Sequence, residues 1–407
     1  MMAPGALSGV LWVHLLAARG LRAAGSHKEA QFRDLYCVIE CDRVHKARTV
    51  VRTGDHSFDW NEVFEIDLAD NINVAFLLYS WDPQSRHRLC YKGAINLVSA
   101  LKEAPVYNIA LKLEPRGSLY VKLRYRNVKQ TFQRLPSTSP QTGVFGVPLD
   151  VLIGREQGNG VPLILKRCVE EVEKRGLDIV GIYRLCGSAL RKKILRESFE
   201  RNSWTVDLTA EHVPDINVIT SLIKDYLREL PEPLFTKGLF DMLADGLSVC
   251  MPDDPTGNAK LMFGILDCLP KANRSTALFL LDHLKQVVAH CDTNKVTSQS
   301  LAVSFGPILM CHSKFEELAH IPKPIEILKY LIDLWPPKPA SQPPRPPTNP
   351  QSAATQDGPG GHPLPNPGRG APSEAGGVGQ SRLGLSGANV VASGNGATPG
   401  SGHGTPR

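Results

Sequence analysis

The residues best suited to chemistry sit in GLDIVGIYRLCGSALRKK, residues 176–193. Gly181 and Gly187 bracket Ile182, Tyr183, Arg184, Leu185 and Cys186. Two apolar residues precede the arginine and one follows it, so the loop base can pack while Arg184 points away. A guanidinium is always charged and offers a rigid fork of donors, which suits it to an anionic site on another protein. Lys224 and Arg228 stand four apart in DINVITSLIKDYLREL. That spacing puts both on one helix face, off the apolar stripe. Alone, each reads as a solvated charge; with the Arg184 loop and with PEPL immediately after, that reading weakens. The sequence contains no GxxxxGK[ST], HExxH or GxSxG, so the usual phosphate loop, zinc helix and nucleophile elbow are missing from it.

Cys37, Cys41 and His45 are spaced by four. On one continuous strand they would share a face, but a rise of ~3.3 Å per residue leaves neighbouring ligands about 13 Å apart. They cannot converge on one zinc ion, so buried thiols and no metal site are expected.

The elements that must position these residues follow from composition. The chain has 407 residues, a formal charge of +6 and 42% hydrophobic residues. The basic excess is too small for wholesale nucleic-acid binding. Nine scattered cysteines in a chain of this size point to free thiols in a reducing compartment. The early apolar run Val10 to Ala18 carries His14 in its middle and lacks a basic flank; it is too short to span a bilayer and reads poorly as a signal peptide. A cytoplasmic protein is expected. The abrupt MMAPGALSG start is compatible with a longer form.

Residues 338–407 hold 13 Pro and 15 Gly and no Phe, Tyr, Trp, Ile, Met or Cys. Such a tail buries too little apolar surface to order itself, so disorder is expected from residue 337. A shorter break, KQTFQRLPSTSPQT, reads as a linker over 129–142. Two folded blocks remain, 1–128 with a charge of +4 and 143–336 with a charge of −3.

The first block carries seven or eight short runs rich in Val, Tyr and Leu, separated by Gly, Asp, Asn and Pro, which predict an antiparallel β-sandwich. Its best helix candidate lies around Leu97–Glu103. The second block switches to helical periodicity and predicts an all-α domain. In VPLILKRCVEEVEKRG, Pro162 suits a first helical position, Leu165, Val169 and Val172 form the stripe, and Gly176 caps the end. In SALRKKILRESFERN, Ser188 reads as an N-cap and Leu190, Ile194 and Leu195 as the apolar side. Ile219, Leu222, Ile223, Tyr226, Leu227 and Leu230 form the buried face of the helix that carries Lys224 and Arg228.

Through GVLWVHLLAARGL, RDLYCVIECD, FDWNEVFEIDL and LLYSWDPQSRHRLCYKGAI, the first block resembles a C2 domain along nearly its whole length. Many C2 domains bind calcium through Asp clusters in two loops, because the ion takes six to eight oxygens. Asp34 and Asp82 match family Asp positions. Lys28 falls near an expected acid, however, and Gln84, Arg86, His87 and Arg88 follow Asp82. No calcium site is expected. The loop cations Arg86, Arg88 and Lys92, with Lys28 and Arg33, suit either a weak contact with an anionic membrane or a solvated face. Protein docking is a third use of the domain.

Through FGVPLDVLI, GIYRLCGS, KDYLRELPEPLF and NKVTSQSLAVSFGPILM, the second block resembles the GTPase-activating domain of Rho-family regulators. With the C2-like block before it and the Pro/Gly-rich tail after it, the whole looks most like the synapse-defective Rho GTPase-activating proteins. The resemblance implies that Arg184 is an arginine finger inserted in trans beside the phosphoryl group being transferred, a device that accelerates hydrolysis by ~10³–10⁵-fold. It implies that Lys224 and Arg228 are the basic pair that helps bind the GTPase and support the finger loop. Gly181, Gly187, Pro231 and Pro233 would be structural at that site. In the last motif Ser300 stands where the family commonly has Asn near the GTPase interface, keeping a hydroxyl but losing reach and an amide donor. The implied partner is a Rho-family GTPase. This chain would carry no cofactor, with GTP and magnesium held by the partner. The competing expectation is a catalytically weak Rho-GTPase-binding scaffold. QPPRPPTNP, residues 342–350, contains PxxP steps compatible with SH3-domain ligands, and Ser139-Pro140 is a candidate phosphorylation site.

Overall fold

A computed structural model describes residues 6–21, 32–84, 87–101, 106–135, 142–157, 160–311 and 322–337. All of them lie in one compact unit. Lys28, Arg86, Ser139-Pro140, the 342–350 motif and the whole expected tail beyond 337 fall outside the described residues.

The first block is a sandwich of two antiparallel sheets. Its strands are β1 (Leu7–Arg19), β2 (Arg33–Cys41), β3 (Val44–Arg48), β4 (Arg52–Gly54), β5 (Phe58–Asn71), β6 (Asn73–Ser80), β7 (Leu89–Asn96), β8 (Val106–Lys112) and β9 (Ser118–Asn127). One sheet runs β5-β1-β9-β8; the other runs β3-β2-β6-β7, with β4 also paired to β2. Alternation along the strands sends Leu11, Val13, Leu15, Phe64, Ile66, Leu78, Val121 and Leu123 into one core. Helix α1 covers Leu97–Leu101. β3 and β5 are edge strands, one from each sheet.

Cys37 and Cys41 are fully buried on β2. Burial pushes the Cys41 thiol up to about 12. His45 is not on the same strand, because the chain turns at Asp42 and Arg43, both with positive φ. It lies on β3 and meets Glu40 at 2.5 Å. The expectation of one continuous strand through all three residues is therefore corrected to a hairpin.

Helix α2 (Val128–Thr131) follows β9 directly. The second block then supplies α3 (Leu149–Glu156), α4 (Leu163–Arg175), α5 (Ala189–Asn202), α6 (Ile216–Arg228), α7 (Lys237–Val249), α8 (Pro255–Leu266), α9 (Lys271–Ala289), α10 (Cys291–Asn294), α11 (Ser298–Met310) and α12 (Pro322–Leu334). α6 is the central helix, buried over Val218, Ile219, Leu222, Ile223, Tyr226 and Leu227 and started by Asp215, which caps the Asn217 amide. α4 behaves as its pattern requires, with Leu165, Val169 and Val172 buried and the Gly176 amide closing on the Val172 carbonyl.

α5 does not follow its pattern. Leu190 and Ile194 are more than half exposed, while Lys192, Leu195 and Phe199 are buried. Ser188 precedes the helix but makes no side-chain cap. The reason is tertiary: this face of α5 meets β5, and Lys192 is buried there between Glu65 of β5 and Asp225 of α6.

Part of the stretch read as a linker is packed. Phe132 joins the helical core. The Arg134 guanidinium donates to the carbonyls of Leu227, Arg228, Leu230, Ile308 and Cys311, at 2.6–3.1 Å, so it caps the C-terminal ends of both α6 and α11. Burial lowers its pKa to about 10. In the reverse direction Cys186, from the loop before α5, packs into the sandwich core.

Candidate functional site

The loop between α4 and α5 is built to hold one arginine. Gly181 has a φ of +79°, a left-handed conformation natural to glycine. Its amide donates to the Asn294 carbonyl at 2.8 Å. Its own carbonyl accepts the amides of Arg184 and Leu185, which closes the loop into a tight turn. Gly187 is required for a different reason: a Cβ there would lie 2.4 Å from the Val218 amide nitrogen on α6.

Tyr183 also has a positive φ, +65°, which is strained for a bulky side chain. Its ring is fully buried against Phe305 of α11 and His283 of α9. The hydroxyl meets His283 Nε2 at 2.5 Å, and His283 Nδ1 meets Glu173 of α4 at 3.0 Å. Burial pushes the phenol well above its ordinary value, so it keeps its proton. A tautomer with Nδ1–H facing Glu173 satisfies all three groups. Tyr183 is thus fastened to three helices, and the next residue is Arg184.

Arg184 is half-buried, and its Nε is buried with no hydrogen-bond partner. Among the described residues its side chain makes no ion pair or hydrogen bond. Beside it, Ile179 and Val180 are exposed, at 41% and 56%. An unpaired guanidinium next to exposed apolar side chains, on a loop anchored from below, can enter an anionic site on another molecule.

Lys224 and Arg228 are placed next to this loop on α6, but neither faces solvent freely. Lys224 Nζ donates to Asp67 Oδ2 of β5 at 2.7 Å, and Arg228 Nη2 donates to Asp67 Oδ1 at 2.6 Å. Arg228 Nη1 takes Asp225 at 2.6 Å. Lys192 of α5 bridges Glu65 of β5 and Asp225. Burial alone would push the Asp67 carboxyl up; Lys224 and Arg228 outweigh it and hold it well below the usual carboxylate range. Burial likewise opposes the Lys224 charge, and Asp67 outweighs that, so its pKa is raised. The Arg184 loop joins the same contact, since the Cys186 amide donates to the Lys46 carbonyl of β3 at 2.7 Å.

Pro231 and Pro233 lie in the turn after α6, flanked by buried Leu230 and Leu234. Ser300 is the third residue of α11; its amide donates to Thr297 Oγ1 at 3.2 Å, so it belongs to the helix cap. In the first block Asp34 accepts from Thr53 Oγ1 and Asp82 from the Gln84 amide. Lys92 pairs with Glu114 at 3.2 Å, and Arg88 is exposed. Among the described residues no group of three potential metal ligands comes together, and no helix is long and apolar enough to cross a membrane.

The sequence reading missed Asn294, His283, Glu173 and Arg134. Asn294 is fully buried and ties the Arg184 loop down: its side-chain amide donates to the Leu177 and Val287 carbonyls, and its Oδ1 accepts the Val296 amide. It begins the NKVT string, and that string gave no local sign of a contact more than a hundred residues upstream.

Comparison with known proteins gives a consistent picture. Residues 162–314 match the RhoGAP domain, and residues 8–129 match the C2 domain of synapse defective Rho GAP protein. The chain is 57% identical over 349 residues to Rho GTPase-activating protein 100F of Drosophila melanogaster, covering 82% of this chain and 19% of that protein. It is 39% identical over 349 residues to Rho GTPase-activating protein SYDE1 of Homo sapiens, covering 82% of this chain and 46% of that protein. It therefore spans less than half the length of these curated relatives. Among solved structures, human Rho GTPase activating protein 15 is similar at 30% identity and a TM-score of 0.43, covering 49% of this chain and 96% of that one.

Proposed function

We propose that this chain, a member of the proteins that couple a C2 domain to a RhoGAP domain, accelerates GTP hydrolysis by Rho-family GTPases with Arg184 as a finger supplied in trans. What carries the reading is Arg184 itself. It is held on a strained and heavily anchored loop, beside exposed apolar residues, with a buried Nε that no group among the described residues satisfies. A guanidinium left without protein partners in this way is available to an anionic group on another molecule. GTP and magnesium would arrive on the GTPase, and the finger would add charge where it develops on the transferring phosphoryl oxygens. Lys224 and Arg228 would meet the GTPase next to it, with Ser300 at the margin of that face. The C2 domain would dock the protein on an anionic membrane or on a protein, and the 342–350 motif would bind SH3 domains.

A second reading, a scaffold that binds the GTPase with little turnover, draws on Ser300 and on the burial of Lys224 and Arg228 under Asp67. Single-turnover phosphate release from preloaded Rho-family GTPases separates the two. Arg184→Ala should lower the accelerated rate by roughly 10²-fold or more with a modest loss of binding, because the group acts in the transition state. Arg184→Lys should be badly impaired as well, since it keeps the charge but not the planar fork. Full activity of Arg184→Ala would refute the finger and favour the scaffold.

A further inference from the structure

We infer that the acidic edge of the C2 domain is an intramolecular competitor for the GTPase, so that the chain as folded here is a latched, low-affinity form. The inference rests on the reading of Lys224 and Arg228 as GTPase contacts. Both cations are engaged by carboxylates and nearly buried in this arrangement. Arg228 commits Nη2 to Asp67 and Nη1 to Asp225, with 12% of its side chain exposed. Lys224 gives Nζ to Asp67, with 5% exposed. A GTPase that uses these groups must first displace Asp67.

Asp67 cannot leave alone. It sits on β5 two residues from Glu65, so both carboxylates project from the same face of one edge strand. Glu65 holds Lys192, and Lys192 also holds Asp225. The other edge strand reaches the finger loop directly, through the hydrogen bond from the Cys186 amide to Lys46 and a bridge between Ala47 and Cys186. Lys46 Nζ in turn donates to the Asp67 carbonyl, tying the two edges together. Cys186, two residues beyond Arg184, is packed in the sandwich core. The acids, both edge strands and the loop base therefore move as a unit. Opening withdraws the sandwich from the loop and frees the basic pair together. Two carboxylates against a basic cluster also reproduce what an acidic face of a partner would offer, which makes the contact competitive.

The test uses the full chain. Association with a Rho-family GTPase loaded with a non-hydrolysable GTP analogue is measured alongside single-turnover phosphate release. Asp67→Asn keeps the shape of the side chain and removes its charge. It should tighten association by ~10-fold or more, the factor by which a latch closed nine-tenths of the time dilutes the open form. Ala47→Cys provides the opposite control. Ala47 and Cys186 are bridge partners buried in one cluster, so a disulfide between them would hold the sandwich on the loop. The oxidised variant should lose GTPase binding, and dithiothreitol should restore it in the same sample. Unchanged or weaker binding by folded Asp67→Asn, or equal binding by oxidised and reduced Ala47→Cys, overturns the latch. If Asp67→Asn does not fold, the redox comparison decides alone. Tighter binding by Asp67→Asn without any dependence of hydrolysis on Arg184 would keep the latch and refute the finger. Absence of GTPase binding by every form would sink both.

Discussion

Arg184 can work in another protein's site only if the residue before it does not move, and that residue is Tyr183. Its strained φ is maintained by a buried hydroxyl–imidazole–carboxylate chain through His283 to Glu173. Tyr183→Phe keeps the ring packing and leaves the buried His283 Nε2 without its partner. A buried polar group orphaned in this way costs about 1–3 kcal/mol. The variant should melt lower in scanning fluorimetry. It should also lower the maximal single-turnover rate more than the concentration giving half that rate, because the loop loses its placement rather than its surface. An unchanged maximal rate would mean that the placement of Arg184 does not depend on this hydrogen-bonded chain. At this scale the sequence was only half legible. Gly181 is read from its own neighbourhood, since a tight turn is a local demand, whereas Gly187 answers to Val218 of α6. His283, Asn294 and Glu173 act across the fold, and nothing adjacent to them in sequence records that.

The elements show the same division. Helices α4 and α6 and the strands of the sandwich follow from periodicity, because one apolar face must be buried whatever covers it. α5 misleads periodicity: its buried face includes Lys192, admitted only because Glu65 and Asp225 compensate the charge. Arg134 was hidden in a stretch whose Pro, Ser and Thr content reads as linker, yet it closes two helix C-termini with five carbonyl contacts. Arg134→Ala should destabilise the protein by about 2–4 kcal/mol, the cost of leaving several buried carbonyls unpaired. Arg134→Lys should recover little, since a point charge cannot span them. Urea unfolding of the three forms measures both claims, and a Lys variant as stable as the parent would refute the fork. On the outer face of the sandwich, Lys122, Arg124 and Arg126 alternate along β9 and make no ion pair among the described residues. Arg124 lies beside Trp12 of β1. If the C2 domain docks on anionic vesicles, these cations should contribute more than Lys92, which is already paired with Glu114. Sedimentation with phosphatidylserine vesicles should then fall when the three become alanine. It should be indifferent to calcium or chelator and weaken with salt, because exposed charges are screened over about 8 Å at physiological ionic strength.

At the scale of the whole molecule, the two blocks are legible separately and their union is not. Composition and period divide the chain into a sandwich and a helical domain, but no local pattern says that Asp67 of one will neutralise Lys224 and Arg228 of the other. Nor does any pattern say that Cys186 will be packed in the sandwich core, or Phe132 of the connecting stretch in the helical one. With cores and charges exchanged, the blocks should unfold together, giving one calorimetric transition. Asp67→Asn should separate that transition into two and cost about 3 kcal/mol at neutral pH. This is the low end for breaking a buried ion pair, since 28% of the Asp67 side chain remains in water. The pH dependence has a definite sign. The Asp67 carboxyl is depressed in the folded chain, so its stabilisation is complete above the unfolded value of about 3.9 and is lost as the pH falls below it. Lys224 is raised, so its share is complete below about 10.4 and is lost as the pH rises through the folded value. Among the groups facing Asp67, Lys224 and Arg228 are raised and the neighbouring Asp225 is lowered, so all three keep their charge between these limits. The stability difference between the parent and Asp67→Asn should therefore be flat from about pH 5 to pH 9 and should shrink on acidification below about pH 4. Calorimetry of both proteins at pH 7 and pH 3 checks this, and an undiminished difference at pH 3 would show that Asp67 stabilises the junction by shape rather than by charge.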